Sequence, residues 1–292
     1  MATRESREVT RQEENFFLAL FDKVVEIINN GRVPDSEIEE SIRKIITYFR
    51  ENRGPRSACA NYNFSSLADF LGFFYRYSPL SAGITRNKTL DAINSCKELK
   101  ECFNKSSLMV VNVGGGAGSD LVGLYSALHE NSTFLEMEIT LIDQYSEWRE
   151  YFGQVNDLLR GGDFGNSSLL MKNRKMTTSF ITADLRTEMT PDCADALQKA
   201  DLVWMKGFLS TLEDDFMRSA VTMNIISSMV PGALLMVMDS PSYNRFDEFI
   251  NGNQLRNVFI QEEGRYNLSS ISDSRYPISS SSNQEIFIFE KI

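Results

Sequence analysis

The stretch LMVVNVGGGAGSDLVGLYSAL, residues 108–128, decides the fold. Leu108 to Val113 form an apolar run of the length of a buried strand. Gly114, Gly116 and Gly118 then alternate, and Leu121, Leu124 and Leu128 follow at helical spacing. Strand, glycine turn and helix in that order make a cradle for a nucleotide-type cofactor. Glycine lets the backbone come close to a ligand, and the first helical turn offers N–H groups without intrahelical acceptors. The pattern is G-x-G-x-G. A dinucleotide fingerprint has G-x-G-x-x-G/A, and Ser119 stands where its third small residue belongs, so the spacing argues against a pyrophosphate cofactor.

Outward from this run the chain changes rhythm. Downstream, strands are expected near 108–113, 138–142, 178–182, 201–205, 233–238, 256–261 and 285–290, with helices near 119–130, 145–160, 191–198 and 213–229. No helix separates the last two strands, which predicts an antiparallel pair at the end of an otherwise parallel sheet. The SSSSN run, 279–283, reads as a flexible loop between them. Upstream, residues 7–31 and 36–50 read as amphipathic helices, and Asp35 suits the N-cap of the second. A third, aromatic helix near 65–77 is expected to stop at Pro79, and a fourth spans 86–103. The fold expected is α/β: a seven-stranded, mostly parallel Rossmann-like sheet at 106–292, preceded by a helical extension or lid at 1–105.

The strand ends carry the chemistry. The second strand, EITLID, closes on Asp143, a carboxylate beside the glycine turn that can accept from both ribose hydroxyls. The third ends in Asp184, placed to accept from an adenine amino group. The fourth, ADLVWMKGFL, ends where substrate meets cofactor in an open α/β sheet, and Lys206 is its polar candidate for a base. Asp239 and Tyr243 complete the ring, whereas Trp204 lies within the strand and reads as core. His129, the single histidine, falls two to three turns past the glycine loop and is too far away to act there.

VVNVGGGAGSD, LIDQYSEW, ITADLR and ADLVWMKGFL, followed by VPGALLMVMD and the terminal strand pair, resemble the ordered motifs of class I S-adenosylmethionine-dependent methyltransferases over residues 105–292. The resemblance implies that S-adenosyl-L-methionine is the cofactor. It places Gly114, Gly115, Gly116 and Gly118 beside the methionine and ribose, Asp143 on the ribose, Asp184 with Leu185 on the adenine, and Gln144 and Tyr145 at the purine faces. Two departures stand out. Family members commonly carry Asp or Glu two residues before the first glycine, where this chain has Asn112, and Asp120 becomes the source of the charge that meets the cofactor's ammonium. The fourth motif also lacks the Asn/Asp-Pro-Pro-Tyr/Phe pattern used on exocyclic base amines or glutamine amides. The aromatic helix lies where many such enzymes place a lid, so Tyr75, Arg76 and Tyr77 are candidates to close over the methionine end, Arg76 pairing its carboxylate. The same aromatics suit packing of the helices onto the sheet.

Composition bounds the rest. The 292 residues carry a net charge of −10, distributed unevenly: residues 1–106 hold 16 Lys and Arg against 15 Asp and Glu, the remainder 14 against 25. An acidic catalytic half disfavours broad phosphate-backbone binding, which leaves a small molecule or a protein as the favoured methyl acceptor and RNA as the alternative. A methyltransferase fold retained only for binding, and a nicotinamide-dependent oxidoreductase, are the competing functions. Cys59, Cys96, Cys102 and Cys193 form no C-x-x-C pair and read as reduced structural thiols. The polar N-terminus and the absence of a long apolar stretch predict a cytoplasmic or nuclear protein.

Overall fold

The computed structural model describes residues 4–51, 62–240, 246, 250–269 and 274–292. Its centre is β1 (Ser107–Val113), whose side chains alternate between two buried faces, as the unbroken apolar run requires of an inner strand. Leu108 and Val110 enter one core cluster, Val111 and Val113 the other. Parallel neighbours flank it: β2 (Glu136–Asp143) on one side and β4 (Leu202–Lys206) on the other, with Val113 opposite both Ile142 and Met205. With β3 (Lys175–Thr182), β5 (Leu234–Asp239), β6 (Leu255–Asn267) and β7 (Ser281–Lys291), the seven-stranded sheet has the order β3-β2-β1-β4-β5-β7-β6. β7 runs antiparallel to β5 and to β6, as expected. The order reverses between β1 and β4, which opens a crevice at the carboxyl ends of those strands.

Helices α1 (Arg4–Asn29), α2 (Asp35–Glu51), α3 (Leu67–Ser95) and α4 (Lys97–Phe103) precede the sheet, α5 (Ser119–Leu128) follows the glycine turn, and α6 (Trp148–Gly161) and α7 (Gly165–Asn173) lie between β2 and β3. One core cluster runs continuously through α1–α3, α5, α6 and a sheet face. Helices α8 (Pro191–Lys199) and α9 (Asp215–Ser228) cover the other face over β1, β4 and β5. Among the described residues no helix is long and apolar enough to cross a membrane, and Cys96, Cys102 and Cys193 are buried and unbridged. Cys59 lies outside the described residues.

Three expectations are corrected. Pro79 does not end the aromatic helix: α3 continues through it to Ser95. Proline costs a helix one backbone bond and about 3 kcal/mol, and the buried faces on both sides of Pro79 offset that loss. The helix expected at 86–103 is therefore two pieces, broken where Cys96 turns extended with φ −108° and ψ 111°. The serine run is not wholly loop, because Ser281, Ser282 and Asn283 pair with Asn267, Tyr266 and Arg265 and begin β7. Helix α7 has no counterpart in the sequence reading.

Two buried acids fasten α1 to the rest. Glu13 accepts from Ser126 Oγ (2.6 Å) and the Asn166 amide (3.1 Å), and Arg86 Nε donates to the same Ser126 oxygen at 3.0 Å. Glu14 accepts from the Ser269 amide at 2.9 Å and from the hydroxyls of Tyr266 and Ser269. Glu14→Ala removes the buried acceptor shared by these three donors and leaves the partly buried Tyr266 hydroxyl without it, and we expect it to lower the unfolding free energy by about 1 kcal/mol in urea titrations.

Candidate active site

The glycine turn is shaped by two demands. At Gly114 the backbone is left-handed (φ 67°), and a Cβ there would lie 2.4 Å from the Phe208 ring. The protein's own packing thus requires this glycine. Gly116 is also left-handed (φ 53°), but the nearest atom to a Cβ would be Trp148 Nε1 at 4.0 Å. The space beside Gly116 is open, and it belongs to a cavity of about 510 Å³ at the carboxyl edge of the sheet, within the range of small-ligand sites.

Asp143 ends β2 at the edge of this cavity. Its Oδ2 accepts the Gly116 N–H at 2.9 Å and its Oδ1 the Tyr145 N–H at 3.0 Å. One side chain therefore pins the glycine turn to β2 and keeps a further lone pair on each oxygen for a ligand. Burial pushes its pKa up to about 6, against the pull of those backbone donors.

Asp120 lies directly beside Asn112. Asn112 is fully buried beneath the turn, and its amide nitrogen lies 3.1 Å from both Asp120 oxygens. Trp204 Nε1 also donates to Asp120. Asp120 is nearly buried but lines the cavity. Burial raises its pKa, while Lys206, Trp204 and Asn112 act to lower it. Lys206, at the end of β4, lines the same cavity; burial lowers its pKa while Asp120 and Asp239 act to raise it. Asp239 accepts the Ser210 and Ser240 amides at 3.0 and 2.8 Å and so fixes the loops after β4 and β5. Asp120 and Lys206 thus share the cavity lining, while Asp239 lies outside it.

On the β3 side, Asp184 is held by a residue the sequence did not single out. Arg186 donates Nε to Oδ1 at 2.8 Å and Nη2 to Oδ2 at 2.7 Å, and the same Nη2 reaches Gln144 Oε1 at 2.6 Å. This guanidinium holds the Asp184 carboxyl below its ordinary range. The fork ties the tips of β2 and β3 into one rigid edge.

These observations place a glycine turn, a carboxylate at the second strand and an open cavity at one switch point. The family described as "Putative SAM-dependent methyltransferase" matches residues 67–261, well over half of the chain. The chain belongs to this family. Its cofactor is S-adenosylmethionine. No curated protein matches the chain. Among solved structures, it is similar to a SAM-dependent methyltransferase from Methanosarcina mazei at 12% identity, covering 65% of this chain and 95% of that one, with a TM-score of 0.44. It is also similar to the N-methyltransferase NodS from Bradyrhizobium japonicum in complex with S-adenosylhomocysteine, at 13% identity, covering 86% and 98%, with a TM-score of 0.42.

In this methyltransferase, Gly114, Gly115, Gly116, Asp120, Asp143, Gln144, Asp184, Leu185 and Lys206 all line the one cavity. Gly118 does not; a Cβ there would meet the Phe152 ring at 2.6 Å, so its role is packing at the start of α5. Two expectations for α3 are corrected. Tyr75 is fully buried away from the cleft, its hydroxyl accepting the Arg275 amide at 2.7 Å and its ring 4.9 Å from that of Tyr276. Arg76 lies outside the cavity lining, with its guanidinium 5.4 Å from the Tyr77 ring centre. At about 100° per residue, Tyr75 falls on the face opposite Phe73, whereas Tyr77 and Ser81 follow Phe73 at four-residue steps and line the cavity. Tyr243 lies outside the described residues.

Of the cavity's aromatic wall the sequence reading named Tyr77 and Tyr145 for the site, but not Phe64, Phe73 or Trp148. Phe64 stands 5.2 Å from Phe73, 5.2 Å from Tyr145 and 5.7 Å from Trp148, and Phe73 stands 4.9 Å from Tyr77. Four-residue spacing within α3 was a signal for Phe73 and Tyr77; nothing local marks Phe64 as their partner.

Proposed function

We propose that this methyltransferase acts on a small, planar, unsaturated acceptor seated against the aromatic wall. The observation that carries the cofactor half of the reading is Asp143: an acceptor-rich carboxylate at the tip of β2, beside the open space at Gly116. Bound S-adenosylmethionine supplies an electrophilic methyl group on a cationic sulfur. Asp143 would hold the ribose hydroxyls through its two remaining lone pairs. Asp184, stiffened by Arg186, would meet the adenine amino group through Oδ2, with the Leu185 backbone, Gln144 and Tyr145 beside the ring. Asp120 would face the ammonium of the methionine moiety, the role left open by Asn112.

Lys206 is the lysine that lines the cavity, and its burial favours the neutral amine. It would accept a proton from the acceptor at Nζ. The excess of Asp and Glu over Lys and Arg in residues 107–292, 25 against 14, opposes a polyanion. Transfer of tritiated methyl from S-adenosylmethionine into cell extract, separated into small-molecule, protein and RNA pools, tests the reading. Label in the small-molecule pool supports it, and label confined to RNA or protein overturns the acceptor assignment.

Cofactor affinity should depend on pH through Asp143. The ligand's hydroxyls need the ionised carboxylate, whose pKa in the free protein is about 6. Binding of S-adenosylhomocysteine is therefore full above pH 7 and weakens as pH falls through 6, approaching about tenfold per unit below it. Calorimetric titrations at pH 7.5 and 5 read this directly, and a flat profile contradicts it.

A further inference from the structure

The sequence offers Arg76 for the carboxylate of the cofactor's methionine moiety, and the structure leaves Arg76 outside the cavity. Among the described residues, the cationic side chains that line the cavity are Arg186 and Lys206. Arg186 is bound to Asp184 and Gln144 at the tips of β2 and β3, the adenine end. Lys206 ends β4 and is the base proposed for the acceptor. The carboxylate therefore calls for a donor of another kind.

Covalent geometry narrows its place. In an α-amino acid the ammonium nitrogen and the carboxylate oxygens share one carbon and stay about 3 Å apart. An ammonium facing Asp120 thus brings the carboxylate to the start of α5. It does not pair with Asp120 itself, whose charge repels it. Ser119 is the neighbouring residue and the first of α5, directly after Gly118 in its left-handed turn (φ 74°). Ser119 is half-buried and lines the cavity, as does Ser78 on α3. The two hydroxyl oxygens are 2.6 Å apart. One hydroxyl hydrogen makes that bond. The pair carries a second, and among the described residues neither hydroxyl makes any other hydrogen bond. Where a dinucleotide fingerprint has its third small residue, this chain thus sets a hydroxyl at the cavity.

We propose that Ser119, oriented by Ser78, binds the α-carboxylate of the cofactor's methionine moiety. A hydroxyl bond to a carboxylate is short and charge-assisted, and it puts no cation in competition for Asp120. Ser78 is a positioning residue: when it donates to the Ser119 oxygen, the Ser119 hydrogen is left for the ligand. The proposal rests on reading this cavity as the cofactor site.

The test is calorimetric titration of the full chain with S-adenosylhomocysteine and with its decarboxylated analogue, which keeps the nucleoside, the sulfur and the ammonium. Wild type should bind S-adenosylhomocysteine about tenfold more tightly than the analogue. Ser119→Ala should cut this preference to about twofold, and Ser78→Ala, which leaves Ser119 without its orienting partner, to about threefold. The double variant should erase it while binding the analogue within about twofold of wild type. A merely structural loss would weaken both ligands alike and leave the preference standing. A preference that survives the double variant overturns the proposal, as does a wild type that binds the two ligands equally. A preference kept in Ser119→Ala and lost in Lys206→Met gives the carboxylate to the lysine and also overturns it. Failure of wild type to bind S-adenosylhomocysteine at all overturns the underlying site reading instead, so the two failures are distinguishable.

Discussion

Gly123→Ala should cost this protein about 3 kcal/mol or more of stability, although the position is mid-helix, where alanine is ordinarily the better residue. Gly123 lies in α5 where α3 crosses it, and a Cβ there would sit 2.1 Å from the carbonyl oxygen of Ala82 and 2.9 Å from its carbonyl carbon. That obstacle is backbone, which cannot rotate aside as a side-chain tip can. To restore ordinary contact the two helices must part by more than an ångström. Parting them strains the 2.6 Å link between Ser78 and Ser119 and displaces the cavity wall on α3 from the start of α5, where Asp120 sits. Gly153→Ala in α6 is the control: nothing lies within 4 Å of its Cβ, so it should be neutral or stabilising by up to about 1 kcal/mol. Urea denaturation of the two variants separates helix propensity from close approach. Equal midpoints would contradict the packing account.

Asp143→Ala should weaken binding of S-adenosylhomocysteine about 100-fold, or 2–3 kcal/mol. Two losses combine. The ligand loses a charge-assisted acceptor for its ribose hydroxyls. The protein loses the carboxylate that holds the Gly116 and Tyr145 amides, so the turn is no longer fixed in the geometry that leaves the space at Gly116 open. Asp143→Asn should recover little of this, since its NH2 end must face one of those two N–H donors. Calorimetry compares the three proteins. An Asp143→Ala affinity within about threefold of wild type would remove Asp143 from the cofactor site.

The parts of the molecule legible in its sequence are those fixed by local pattern. The run at 108–128 combines a strand, its glycine turn and a helix within one stretch, and Asp143 and Asp184 announce themselves by ending apolar strands. Asp120 could be singled out because Asn112 left a charge to be found. What stayed hidden depends on residues far apart in the chain. Pro79 looks like a stop because its cost is local, while the packing that carries α3 through it comes from α1, α5 and the sheet. Tyr75 and Tyr77 are equivalent by composition, and only the rotation of α3 decides that one reaches the cavity and the other the Arg275 amide. Arg186 lies two residues from its partner, yet its value comes from bridging to Gln144 on another strand. Ser281 to Gln284 resemble a loop in sequence because serine has low strand propensity, and cross-strand pairing with β6 overrides it.

The central claim is that the nucleoside of the cofactor lies across the tips of β1 and β2 with its sugar on Asp143. A crystal structure of the full chain grown with S-adenosylhomocysteine tests it most directly. The account predicts density beside Gly114 and Gly116, with both ribose hydroxyls about 3 Å from the Asp143 oxygens and the ammonium facing Asp120. A ligand bound elsewhere, or one in the cavity whose sugar points away from Asp143, would contradict it.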